Sequence, residues 1–232
     1  MSYTKRNDGR KFDETREIKA EVGIIKNANG SAKFQIGKTI AVAAVYGPRN
    51  LYPKFLQNPE KGMLRCNYNM LSFSVDERIR PGPSRRSKEI SLVTERALSP
   101  AVDLSTFTNA VVDVFVEIIQ ADAGTRCAGI CAASMALADA GIPMKDLVAA
   151  VSVGKVGDKL VVDLNKFEED YEDGATDVPV AYLPRNGEIS LLQMDGEMDV
   201  KEIKEALEMG RKACEKIIEV QKKALKEKYK GD

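Results

Sequence analysis

The chain has 232 residues, 44% of them hydrophobic and 30% charged, and its 35 basic and 35 acidic side chains cancel to a formal net charge of zero. That length suffices for a substantial core, no apolar run reaches the roughly 18 residues of a membrane helix, and the polar opening MSYTKRNDGRKFDE is unlike a secretory signal. The absence of histidine excludes a Ser-His-Asp triad, a Cys-His dyad and any histidine metal site. Chemistry must therefore run on carboxylates, cations, backbone amides or a borrowed metal ion. The four cysteines, Cys66, Cys127, Cys131 and Cys214, form no CxxC pair and read as buried reduced thiols. A cytoplasmic protein with no membrane contact is expected. Zero net charge speaks against nucleic-acid binding, although local patches outweigh the sum.

Taken in chain order, residues 21–25 read as a strand leading to the turn signal Asn27-Ala28-Asn29-Gly30. Strands over 32–36 and 39–46 follow. Residues 47–62 hold Pro48, Pro53 and Pro59 and form a loop. Over 64–70 the pattern alternates, with Leu64, Cys66, Tyr68 and Met70 on one side of a half-buried strand. The phase then switches to Leu71, Phe73 and Val75, which predicts a bulge or bend. After the charged loop 76–88 comes a helix carrying Ile90, Leu92, Val93, Ala97 and Leu98. A strand over about 110–121 and a small-residue helix stopped by Gly141 and Pro143 complete the first half. In the second half, strands over 148–156 and 159–164 turn at Gly157-Asp158. An acidic loop follows, then strands over 178–183 and 189–194, and a long amphipathic helix over about 199–228. Strands and helices are grouped rather than strictly alternating, so the class is α+β.

Three segments could carry chemistry. Ala121-Asp122-Ala123-Gly124-Thr125-Arg126 lies between a strand and a helix. Such a unit aims free backbone N–H groups and a positive helix end at one spot. Gly124 permits close backbone approach, Thr125 adds a hydroxyl, and Arg126 can hold two phosphate oxygens at once. The plainer alternative is an ordinary turn in which Thr125 caps the helix. Ser84-Arg85-Arg86-Ser87, before the helix starting near residue 88, is either a second phosphate site or a solvated basic loop. In the acidic run 168–177 most side chains read as solvent-facing. Asp177 differs, because it sits at the edge of the apolar strand DVPVAYL. Paired carboxylates near phosphate-binding cations would recruit Mg²⁺ and could protonate a leaving oxygen.

Together these pieces resemble the ribonuclease PH family. The opening Arg6-Asn7-Asp8-Gly9-Arg10-Lys11 with Arg16-Glu17-Ile18 looks like its N-terminal signature, and Ser84-Arg85-Arg86-Ser87-Lys88-Glu89-Ile90 like its basic motif. The most specific match is Gln120 to Arg126, continued by Ala132-Ala133-Ser134 and Ala136 to Met144. Arg85-Arg86, the strand from Asp177 to Ala181 and Leu192-Gln193-Met194-Asp195-Gly196 are closer to the archaeal exosome form than to bacterial ribonuclease PH. The resemblance runs over nearly the whole chain. It implies a single ribonuclease PH-type domain over residues 1–232, built of two βαβ-like halves with a long C-terminal helix.

The resemblance also implies a mechanism, phosphorolytic 3′→5′ degradation of single-stranded RNA. Inorganic phosphate, the co-substrate, would sit on Arg86 and on Gly124, Thr125 and Arg126, and attack the last phosphodiester. Asp170 and Asp177 would bind Mg²⁺ and assist the leaving 3′ oxygen, and Arg65 and Arg85 would face RNA. The implied partners are a related, catalytically silent ring subunit and a cap of S1- or KH-type RNA-binding subunits. One departure stands out. The family spaces its two aspartates six apart, whereas Asp170 precedes Asp177 by seven and Asp173 by four; an inserted residue makes Asp170 the counterpart, with Asp173 the alternative. The rival readings are a non-catalytic scaffold of the same ring and a free-standing ribonuclease PH trimming transfer RNA.

Overall fold

A computed structural model of the chain describes residues 3–172 and 174–230. The first half is a five-stranded sheet of β1 (Ile18–Val22), β2 (Gly30–Ile36), β3 (Thr39–Asn50), β4 (Met63–Met70) and β5 (Ala110–Gln120). Their spatial order is β1-β2-β3-β5-β4. The β1–β2–β3–β5 pairings are antiparallel, and β4 runs parallel to β5. The helix α1 (Arg85–Leu98) makes the β4-to-β5 crossover, as parallel neighbours require. The second half is a four-stranded antiparallel sheet of β6 (Ala149–Val156), β7 (Lys159–Val162), β8 (Ala175–Leu183) and β9 (Glu188–Leu192), in the order β7-β6-β8-β9. The class is α+β. The βαβ description fits β4–α1–β5. In the second half the Gly157-Asp158 turn and the short 184–187 connection permit only antiparallel neighbours.

The helix α2 (Thr125–Asp139) joins the halves. Almost all of its residues are buried, from Cys127 to Leu137 without a break. Its alanines and Gly129 let it lie against β2, β3 and β5 on one side and β6 and β8 on the other, so residues of both sheets belong to one hydrophobic cluster. All four cysteines are free and buried, and burial pushes the Cys131 thiol up to about 12. The helix α4 (Val200–Tyr229) covers β6 and β1 with Ala213, Cys214, Ile217 and Ile218. Each large apolar side chain buried this way contributes about 1.5–3 kcal/mol. Val200, the first residue of the helix, is 70% exposed.

The strand β4 stops at Met70, and the bend expected from the phase switch at Leu71, Phe73 and Val75 is a run of turns in which Phe73 is 73% exposed. Other boundaries differ from the sequence expectation. The strand β3 runs on to Asn50, into the loop expected from residue 47. The helix α1 starts at Arg85 rather than near 88. The Ser84 hydroxyl accepts from the Ser87 amide at 3.0 Å, and the Ser87 hydroxyl accepts from the Ser84 amide at 2.8 Å. This reciprocal cap places both arginines in the first helical turn.

Candidate active site

The loop between β5 and α2 is left-handed at two successive residues, Ala123 (φ 59°) and Gly124 (φ 62°). Gly124 suits that conformation because it lacks a Cβ. An added Cβ there would meet nothing closer than the Arg16 guanidinium at 3.5 Å. The turn brings Thr125 and Arg126 to the first turn of α2, whose amides and dipole attract anions. Arg126 donates a short hydrogen bond to the Gln193 side chain and lies 3.7 Å from Glu89. Gln193 in turn donates to Glu89 at 3.1 Å. The guanidinium is thus held between Glu89 of α1 and Gln193 beyond β9.

The acidic run does not form one solvated loop. Residues Lys166–Glu169 make a one-turn helix, α3, capped by Asn165, and Asp170 ends it. Asp170 is exposed and forms an ion pair with Lys166 at 2.7 Å. Asp177 is the third residue of β8 and half-buried. Its carboxylate accepts a short hydrogen bond from the Ser152 hydroxyl of β6. Its backbone pairs with Asp195 in both directions, at 2.9 and 2.8 Å. Gly196 allows that approach, since a Cβ there would lie 2.7 Å from the Thr176 hydroxyl. Burial raises the Asp177 carboxyl above the usual aspartate range; Asp195 adds to this, while Ser152, Arg126 and Arg86 oppose it. Burial and the Asp177 charge push Glu169 up to about 7. Carboxyls displaced by burial and by neighbouring charges are common in functional clefts.

These groups share one cleft. A lobe of about 580 Å³ is lined by Arg86, Arg126, Glu169, Asp170, Asp177 and Gln193, among others. A second lobe of about 780 Å³ shares Arg86, Arg126, Asp170 and Asp177 and adds Gly124, Thr125 and Lys166. Six of the expected residues therefore converge: Arg86, Gly124, Thr125, Arg126, Asp170 and Asp177. Arg85 is exposed at the start of α1 and Arg65 lies on the outer face of β4, and neither lines the cleft. Arg65 is held by Asp113 through a two-pronged pair at 2.6 and 3.0 Å. Asp173 lies outside the described residues. Among the described residues no group of three acidic or cysteine side chains forms a ready metal cage. The cleft carboxylates still suit a hard divalent ion, because Mg²⁺ is commonly held by one or two carboxylates with substrate phosphates and water.

Sequence reasoning passed over Ser152, took Glu169 only as part of the acidic run, and used Glu89, Gln193 and Asp195 only as family markers. Glu169 was hidden in a run of acids, and nothing local distinguishes Ser152 within β6. Gln193 and Asp195 follow β9, where a polar pair after an apolar strand was the available signal.

The chain was compared with known proteins. Residues 14–143 match domain 1 and residues 146–213 match domain 2 of the 3′ exoribonuclease family. The protein named exosome complex component Rrp41 of Methanopyrus kandleri is 53% identical over 98% of this chain and 94% of its own. The protein of the same name from Pyrococcus abyssi is 56% identical over 97% of this chain and 90% of its own. Rice Rrp46 superposes with a TM-score of 0.84 at 25% identity, covering 95% of this chain and 100% of that one. A chain of the Archaeoglobus fulgidus exosome, solved with RNA bound to the active site, superposes at 0.78 with 27% identity, covering 93% of this chain and 92% of that one. With both family domains matched in order and relatives above 50% identity over nearly its full length, the chain belongs to the 3′ exoribonuclease family of ribonuclease PH type.

Proposed function

We infer that this chain is the catalytic-type, Rrp41-like subunit of an archaeal exosome, a phosphorolytic 3′→5′ exoribonuclease. The observation that carries the reading is the convergence of Arg86, the Gly124-Thr125-Arg126 loop, Asp170 and Asp177 on one cleft. A scaffold subunit has no use for that combination. Two arginines and a helix N-terminus make a site for inorganic phosphate without needing a histidine base. A phosphate oxygen attacks the phosphorus of the last phosphodiester, the bond to the preceding 3′ oxygen breaks, and that oxygen takes a proton. The products are a nucleoside diphosphate and an RNA shorter by one residue. This is transfer to phosphate, not hydrolysis.

Arg86 and Arg126 orient the phosphate and hold the charge that spreads over its oxygens in the transition state. Asp177, which lines the cleft beside Arg86 and Arg126, assists the leaving 3′ oxygen. Asp170 and Asp177 would hold Mg²⁺, which supplies neutralisation of phosphoryl charge when bound. Single-stranded RNA reaches the cleft past Arg85. Arg65, committed to Asp113, contacts RNA away from the reaction centre. The chain works in a ring with a related, catalytically silent subunit under a cap of S1- or KH-type RNA-binding subunits, in the cytoplasm.

The test is RNA degradation by the assembled complex with and without inorganic phosphate, with products resolved by chromatography. Nucleoside diphosphates released only in the presence of phosphate are expected. Nucleoside monophosphates formed without it would overturn the phosphorolytic reading.

A further inference from the structure

The N-terminal signature plays no part in the chemistry described above, yet Arg16 is 7% exposed and fully engaged. Its Nε and Nη2 donate to both oxygens of Asp163, at 2.9 and 2.7 Å. Its Nη1 donates to the Asp122 carbonyl and sits 3.4 Å from the Asp122 carboxylate. The other oxygen of that carboxylate accepts from the Lys166 amide, the first of α3, at 3.1 Å. Asp122 therefore touches α3 with its side chain, while its chain neighbours two to four residues on are Gly124, Thr125 and Arg126.

Backbone strain marks the same spot. Among the described residues, Asn109, Ala123 and Asp163 are the non-glycine residues with positive φ, and two of these three adjoin Arg16 or its partners. Such conformations persist where the surroundings over-determine them. The Thr39 hydroxyl supplies a further tie, accepting from the Asp122 amide at 2.9 Å and donating to the Ala123 carbonyl at 2.7 Å.

We propose that Arg16 and Asp122 are positioning residues that lock the phosphate loop to the helix carrying Asp170, so that phosphate-binding and carboxylate groups keep one spacing. Neither residue lines the cleft, so each acts through others. The helix α3 is a single turn, so the point where its first amide is held fixes where Asp170 emerges.

The inference rests on the phosphorolytic reading and is tested with Asp122→Ala and Asp122→Asn in the assembled complex. Initial rates are measured over a phosphate titration at saturating RNA, then over an RNA titration at saturating phosphate. Loss of a supporting contact behind a reacting group weakens function on the order of 10–100-fold. Asp122→Ala is expected to raise the half-saturating phosphate concentration on the order of 10-fold, with KM for RNA unchanged. Asp122→Asn keeps an oxygen for the Lys166 amide but loses the charge facing Arg16, so a smaller shift in the same direction is expected. If the alanine variant does not fold, the asparagine variant decides. A wild-type phosphate curve in a folded variant overturns the proposal, as does a lowered melting temperature with unchanged phosphate saturation. The wild-type titration separates the two failures: an enzyme indifferent to phosphate overturns the phosphorolytic reading itself, and the inference with it.

Discussion

Replacing Arg126 by alanine removes a guanidinium that the fold holds in place through two partners. Its side chain is 18% exposed and engages Gln193 and Glu89, so it gives up little conformational freedom when phosphate arrives. A preorganised, charge-assisted contact to a transferring phosphoryl group supplies about 2–4 kcal/mol, or roughly 10²–10³ in rate. The same substitution removes a cation that draws Asp177 downward, so the Asp177 carboxyl rises further. Arg126→Lys keeps the charge but loses the planar fork, and is expected to fall between wild type and alanine. The assay is nucleoside diphosphate release against phosphate concentration at fixed RNA, read by chromatography. A rise in half-saturating phosphate together with a fall in kcat is expected, with RNA affinity retained. Wild-type phosphate dependence in Arg126→Ala would show that the residue is a structural clamp for Gln193 and Glu89, and the phosphate-loop reasoning would fail.

Asp177→Asn is expected to abolish turnover while electrophoretic mobility shifts still report RNA binding; full activity with ordinary Mg²⁺ dependence would refute the carboxylate role. Because Asp177 has a raised folded-state pKa, its ionisation opposes folding as pH climbs through that pKa, so the same variant should melt no lower than wild type at neutral pH. Asp170→Asn is expected to be as damaging to turnover; a mild effect there and a severe one in Asp173→Asn would move the inserted residue. Asp195→Asn removes a like charge that helps to raise Asp177, so the acid limb of the pH–rate profile should shift to lower pH, and an unmoved limb would separate Asp195 from the site. Asp139→Ala strips a buried acceptor from the Ser31 amide at 2.9 Å and from the Tyr229 hydroxyl at 3.0 Å. Such a loss costs about 2 kcal/mol, a fall in melting temperature of roughly 4–8 °C by calorimetry, and an unchanged melting point would refute the tie between α2 and α4.

The parts legible in the sequence are those written in short-range pattern. Alternation of Leu64, Cys66 and Tyr68 located β4, and the run of small residues stopped by Gly141 and Pro143 located α2. The start of α1 was misplaced because Arg85 to Lys88 carry no apolar periodicity; the signal was the Ser84–Ser87 cap, which uses serine where glutamate is usual. The phase switch at Leu71, Phe73 and Val75 marked the bend after β4, where turn hydrogen bonds such as Ser74 to Leu71 replace the ladder. The candidate site divides in the same way. Gly124, Thr125 and Arg126 are contiguous and were readable as a unit. The supports were not: Arg16 meets Asp163 across 147 residues, and Arg126 meets Gln193 across 67. Partnerships of that span depend on sheet order and helix packing, which local propensity does not encode.

Zero net charge, which spoke against a nucleic-acid partner, is compatible with the cleft once its charges are separated by task. Arg86, Arg126 and Lys166 face the same space as Glu169, Asp170 and Asp177, so the lining is mixed rather than basic. A uniformly basic cleft would bind the RNA backbone tightly but offer no group to manage the leaving 3′ oxygen. A uniformly acidic one would repel both RNA and phosphate. Cations at the attacking phosphate and carboxylates toward the leaving group require both signs within one small volume. Each sign also tunes the other: Arg86 and Arg126 draw Asp177 down while burial and Asp195 drive it up. A summed charge discards this spatial division, and for that reason the count of 35 against 35 says nothing about the chemistry the cleft can perform.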